Sequence, residues 1–253
     1  MATFLDYADY PTKESWNEQY RKKEDTLNKI RLKEKGGTQT YSVLSSEGLM
    51  NLELSFWIGE FNNKANDLIN NYIILMHHYD KGIPDTEWFT PREKGGVQFF
   101  PHFEEKHHHI IYWFGFYTDS YYTRFASLID TIYHIINVKY YLGIEAKIGF
   151  RGQVAKALKS EDEALFNYLD GIRENHVYKE VEYFRNDITH NFRPNQISSG
   201  IKRKKGKGFL SISGGIGEYT TTTAFVANIE KSLNLIAEIL DEIREKLESG
   251  NKN

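Results

Sequence analysis

The feature that most narrows what this chain can become is a set of long runs in which apolar residues recur every three or four positions. Between residues 47 and 79, Met50, Leu54, Trp57, Phe61, Ala65, Leu68, Tyr72 and Leu75 keep that step, the spacing of one buried stripe on an α-helix. At 1.5 Å per residue the run predicts a helix about 50 Å long. Gly59 weakens its middle, and Asp80-Lys81-Gly82 with Pro84 closes it. Residues 119–142 carry a second stripe through Tyr121, Phe125, Leu128, Ile129, Ile132, Ile135, Ile136 and Tyr140, with Thr118 or Asp119 as the expected cap. Residues 222–247 carry a third, from Phe225 through Ile229, Leu233, Ile236 and Leu240 to Ile243 and Leu247.

Two further stretches read as helical. Residues 160–191 form two segments or one bent helix. Ser160 and Glu163 have the spacing of a capping box. Val177, Val181, Phe184 and Ile188 then define the second inward face, and Pro194 ends it. The run Glu14–Glu34 is helical in composition, but its apolar positions, Trp16, Tyr20, Leu27 and Ile30, are sparse. It reads as a charged outer helix running into the Gly36-Gly37 break.

Two segments break the pattern. Residues 81–118 are punctuated by Pro84, Pro91, Gly95, Gly96 and Pro101. They read as a looped insertion with a short hairpin around Val97–Phe100, and Ile110–Phe116 as either strand or the start of a buried helix. Residues 195–217 are glycine-rich and polar, with a short strand at Phe209–Ile212. Nothing repeats internally and no linker separates two cores. The expected architecture is therefore an all-α, up-down helical bundle: an N-terminal helical extension over 1–44, then a helical domain over 45–253 carrying both segments.

Composition excludes several classes. The 253 residues contain no cysteine, which removes disulfide scaffolds, thiol catalysis and cysteine-based zinc sites. The net charge of −3 gives no general basic coat for nucleic acid, although a sum is silent about local patches. Met1 to Asp9 holds two acids and no base, unlike a secretory signal. No stretch reaches the 18 or more apolar residues that read as a membrane span. A cytoplasmic location and no membrane partner are the expectation.

The string Arg185-Asn186-Asp187-Ile188-Thr189-His190 is the most informative. It sets an arginine, an amide and a histidine near the end of an amphipathic helix. Asn186 and His190 are four apart and so share a face, which lets the amide orient the imidazole. Arg185 is suited to grip a phosphate bidentately. The plainer alternative is that both residues merely cap carbonyls or pair with Asp187 or Glu182.

This string resembles the motif of the HEPN superfamily (higher eukaryotes and prokaryotes nucleotide-binding domains), in which an arginine is followed by four to six residues and a histidine. Asn186 resembles the polar residue that the family favours after the arginine. The resemblance implies an all-helical bundle that dimerises, with Arg185 and His190 catalytic, Asn186 supporting them, and no cofactor or metal. It implies a metal-independent endoribonuclease cutting by 2′-hydroxyl attack, as a toxin or defence component with an antitoxin or nucleotidyltransferase partner. Non-catalytic nucleotide or nucleic-acid binding, or a purely structural role, are the alternatives. One histidine per chain cannot be acid and base at once. A two-fold dimer supplies two, and histidine ordinarily titrates near neutrality.

Lys202, Arg203, Lys204, Lys205 and Lys207 form a basic cluster expected to contact RNA phosphates; a solvated loop is the alternative. His102, His107, His108 and His109 invite a metal reading. Adjacent histidines diverge in both helix and strand, however, so no metal is expected. His77, His78 and His134 read as packing residues.

Overall fold

A computed structural model describes residues 3–33, 45–206 and 208–248. Among them lie eight α-helices and two small antiparallel hairpins, so the all-α bundle is the observed class. The anticipated Gly36-Gly37 break falls outside the described residues.

The N-terminal run is two helices, not one: α1 (Lys13–Lys22) and α2 (Glu24–Lys29) meet at Lys23, whose backbone leaves helical torsions. Nor is it merely an outer helix, because Leu27 and Ile30 are fully buried in the main core. The first long stripe forms α3 (Ser46–Tyr79), continuous through Gly59 and capped by the Ser45 hydroxyl, which accepts from Gly48 N.

The insertion is shorter than the sequence suggests. Its hairpin pairs β1 (Phe89–Pro91) with β2 (Val97–Phe99). The next helix, α4 (Glu105–Lys139), then starts fourteen residues earlier than anticipated and absorbs Ile110–Phe116. Thr118 and Asp119 therefore cap nothing. Glu104 is the cap, and Thr118 is buried within α4, donating to the Phe114 carbonyl at 2.8 Å.

α3 and α4 lie antiparallel. Trp57 near the start of α3 stacks on His134 at 4.1 Å, while His78 at its end stacks on Tyr117 at 5.6 Å. α5 (Phe150–Glu161) follows, a helix the sequence reading left unassigned. The residues anticipated at 160–191 form α6 (Glu163–Glu174) and α7 (His176–His190). The Ser160–Glu163 capping box is absent: Ser160 donates to the Ala157 carbonyl inside α5, and Asp162 caps α6 by accepting from Leu165 N at 2.9 Å.

Residues 195–217 are not a plain loop. β3 (Lys202–Gly206) pairs with β4 (Phe209–Ser213). Beneath this hairpin the chain crosses itself at Gly200 and Gly217, both at positive φ. A Cβ on Gly200 would overlap the Gly215 carbonyl, and one on Gly217 the Ser198 carbonyl, so only glycine fits.

The last helix, α8 (Thr222–Glu248), runs through the core. Its first turn is held by the buried carboxylate of Asp85, which accepts from Thr222 N at 2.7 Å, Thr222 Oγ1 at 2.8 Å and Tyr219 Oη at 2.7 Å. This single acid fastens the insertion to the foot of the basic hairpin. No helix among the described residues is long and apolar enough to cross a membrane.

Candidate functional site

α7 presents the arginine–histidine string. Asn175 starts the helix, its side chain accepting from Val177 N at 2.8 Å. Val177, Tyr178, Val181 and Phe184 make the buried face. Phe184 packs on Tyr122 at 5.5 Å and on Phe225 at 4.8 Å, tying α7 to α4 and α8. A polar chain adds to this anchoring. Tyr122 donates to Asn228 Oδ1, and Asn228 donates to Glu180 Oε2 at 2.7 Å. Buried polar groups that are fully partnered in this way stiffen the elements they join.

Arg185, Asn186 and His190 lie on the opposite, exposed face. Arg185 Nη1 donates to Asn186 Oδ1 at 3.2 Å. The Asn186 oxygen thus serves the arginine, and no hydrogen bond joins Asn186 to His190, contrary to the orienting role expected of it. The plainer alternative also lacks its contacts. Among the described residues neither Arg185 nor His190 has an ion-pair partner. Asp187 is instead held by Asn191, whose amide donates to Oδ1 at 2.7 Å. Just past α7, Arg193 pairs with Asp119 on α4 at 3.0 Å. Burial pushes the Asp119 carboxyl up to about 6 against the opposing pull of Arg193.

A cleft of about 150 Å³ opens between α4, α5 and α7, beside Arg185 and Asn186. Its floor is Phe125, Ala126, Ile129 and Val181. Arg151 of α5 enters from the side, a residue the sequence reading missed. It pairs with Asp130, donates through Nη2 to the Ala126 carbonyl at 3.1 Å, and through Nη1 to Tyr178 Oη at 3.2 Å. Burial works against the Arg151 charge, but the hydrogen bond and charge of Asp130 together with Tyr178 and Tyr133 outweigh it and raise the pKa. Burial lifts the Tyr178 phenol to about 12 despite Arg151, so it stays a proton donor. The only hint in sequence was the four-residue step Phe150, Val154, Leu158, which makes the buried stripe of α5.

The basic cluster is divided by the strand alternation of the hairpin. Lys202 and Lys204 lie opposite Ser213 and Ser211, while Arg203 and Lys205 lie opposite Ile212 and Leu210. All four basic side chains are exposed, and among the described residues only Lys202 has an ion partner, Glu218 at 3.6 Å. Lys207 lies outside the described residues. No hydrogen bond or ion pair links the hairpin's described cations to Arg185 or His190.

The remaining histidines go to separate partners. His102 meets Glu87 at 2.9 Å, His107 Nδ1 accepts from Glu104 N at 2.9 Å, and His109 stacks on Tyr7. No group of three or more acids and histidines fit to hold a metal occurs among the described residues. His134 stacks between Trp57 and Phe150.

No curated protein and no solved structure matches the chain at a significant level. One protein family does: the Cthe2314-like HEPN family matches residues 57–248, three quarters of the sequence. That match runs from α3 to the end of α8 and contains the whole arginine–histidine string on α7; the chain belongs to the HEPN superfamily.

Proposed function

We propose that the protein is a homodimeric endoribonuclease that cuts RNA without a metal ion, using Arg185 and His190. The observation that carries this reading is their exposure. Both stand on the last turns of a firmly anchored helix with no ion-pair partner among the described residues, and Arg185 lines an open cleft. A surface arginine with no acid partner keeps its charge and donor fork available for a phosphate.

RNA carries its own nucleophile. A neutral histidine takes the proton from the 2′-hydroxyl as that oxygen attacks phosphorus. A protonated histidine gives a proton to the departing 5′-oxygen as the P–O5′ bond breaks. The products are a 2′,3′-cyclic phosphate and a 5′-hydroxyl. His190 of one protomer and His190 of the partner subunit supply the two roles, while Arg185 stabilises the charge on the phosphoryl oxygens. Asn186 holds the Arg185 fork. Tyr183 and Phe192, 55% and 68% exposed, flank the site with apolar surface suited to a second copy. The basic hairpin adds phosphate contacts through Lys202, Arg203, Lys204 and Lys205. Such an activity suits a toxin or defence component held in check by an antitoxin or a nucleotidyltransferase partner.

The test is cleavage of a mixed-sequence RNA in the presence of a chelator. The parent should cut RNA and leave the equivalent DNA intact. Arg185→Ala and His190→Ala should each lower the rate by roughly 10²–10⁴-fold. Cleavage unchanged by both substitutions would reject the site. Binding without cleavage by the parent would instead make the chain a nucleotide- or nucleic-acid-binding HEPN module.

A further inference from the structure

We infer that the cleft between α4, α5 and α7 is a base-recognition pocket that selects a guanine flanking the phosphate held by Arg185. The inference rests on the ribonuclease reading of the α7 site and names the nucleotide that site prefers.

Size comes first. The cleft measures about 150 Å³, and a protein cavity of roughly that volume admits one six-membered aromatic ring. The floor of Phe125, Ile129 and Val181 is apolar and suits a flat ring better than a bare phosphate. The cleft is open on one side, so a fused second ring can extend toward solvent.

The polar rim sets the identity. Glu182 and Asn186 line the cleft one helical turn apart, about 6 Å along the axis. Glu182 is three residues from Arg185, yet no ion pair joins them among the described residues. An unneutralised carboxylate at the mouth repels a phosphate and asks for N–H donors. Guanine is the base whose pairing edge offers two adjacent donors, N1–H and N2–H, followed by an acceptor, O6. The two donors match the Glu182 oxygens. The Asn186 amide nitrogen, left over once Oδ1 accepts from Arg185, matches O6. Uracil in the same pose would keep one N–H but turn its O2 carbonyl oxygen toward the carboxylate. Adenine and cytosine would each turn a ring nitrogen lone pair.

The frame is rigid before any ligand arrives. Arg151 is fixed by Asp130 and the Ala126 carbonyl and donates to the Tyr178 oxygen. The phenol hydrogen is therefore left to donate to Glu182, which it does, orienting that carboxylate. Arg185, at the mouth, remains for the attached phosphate. Rigid positioning of this kind lowers the cost of binding.

The experiment titrates the full chain with the 3′-monophosphates of guanosine, adenosine, cytidine and uridine, with guanosine, and with inorganic phosphate, followed calorimetrically. Guanosine 3′-monophosphate should bind roughly tenfold or more tighter than the uridine compound, the discrimination typical of a bidentate base contact. Glu182→Gln should bring that ratio close to one. Glu182 is exposed, so thermal unfolding of the variant should match the parent. Guanosine without phosphate should keep its dependence on Glu182 and lose its dependence on Arg185. Equal binding of all four nucleotides, or a guanine preference indifferent to Glu182→Gln, would overturn the pocket. Cleavage that depends on Arg185 and His190 but falls at every base leaves the nuclease reading standing and rejects the pocket. Guanine binding that depends on Glu182 in a chain that never cuts RNA does the reverse.

Discussion

His78 sits fully inside the junction of α3 and α4, stacked on Tyr117 and facing Trp113, with neither ring nitrogen hydrogen-bonded among the described residues. Burial depresses its pKa from 6.5 to about 4; nearby Lys81 and His77 push the same way, and Asp9 opposes them. The unfolded chain thus binds a proton between pH 6.5 and 4 that the folded chain refuses. Stability must fall as pH drops below 6.5, by about 1.4 kcal/mol per unit, until it levels near pH 4. His78→Phe keeps the ring and removes the titration. Compared with the parent in urea unfolding, the variant should gain roughly 2 kcal/mol on moving from pH 7 to pH 5. An unchanged difference between the two proteins across that range would show that His78 is already protonated or exposed. Asp85 is the other telling residue. Its carboxylate satisfies three donors at the foot of α8, so Asp85→Ala strands the Thr222 amide and the Tyr219 hydroxyl in the interior. The expected cost is about 3 kcal/mol, read as a lower urea midpoint with the slope unchanged.

At the scale of elements, legibility followed contrast between faces. α3 and α8 were plain because their buried residues return at three- and four-residue steps against polar neighbours. The first fourteen residues of α4 were hidden because Tyr112 and Phe116, both half exposed, put aromatic rings on the solvent face beside buried Ile110 and Phe114. The period blurs when both faces are apolar. α5 escaped because only Phe150, Val154 and Leu158 mark its inner side. The string on α7 was legible as a sequence, but its setting was not. The groups that shape the cleft around it, Arg151, Asp130 and Tyr178, come from three helices and meet only by tertiary packing. The Asp85 cap bridges 137 positions, beyond any local signal. The basic hairpin was half read: its lysines were evident, and its pairing was not. That pairing makes a stiff, cationic arm, which yields an element-scale prediction. Replacing Lys202, Arg203, Lys204 and Lys205 with glutamine should weaken RNA binding equally for all sequences, because phosphate contacts carry no base information. The log–log salt dependence should flatten by up to about 3, at roughly 0.7 per phosphate contact on a single strand. A slope equal to the parent's would place the hairpin away from the RNA path.

The whole molecule carries one His190 per chain, and the proposed chemistry needs an acid and a base together. This makes activity a property of concentration. If the two histidines come from two protomers, the rate per chain must stay constant while the dimer persists. It must then fall in proportion to concentration once the protein is diluted below the dimer's dissociation constant. A site complete in one chain would show no such fall. The surface that pairs the protomers should include Phe192, whose exposed ring follows α7 directly. Phe192→Asp would set a charge where two copies must exclude water, and loss of a central aromatic contact costs about 2 kcal/mol or more. The onset of the dilution effect should therefore move to at least roughly tenfold higher concentration, in step with the dimer-to-monomer transition by sedimentation. Folding should be untouched, since Phe192 packs against nothing in its own core. Activity that stays flat on dilution in both proteins, while sedimentation shows monomers, would require His190 to find its proton partner within its own chain.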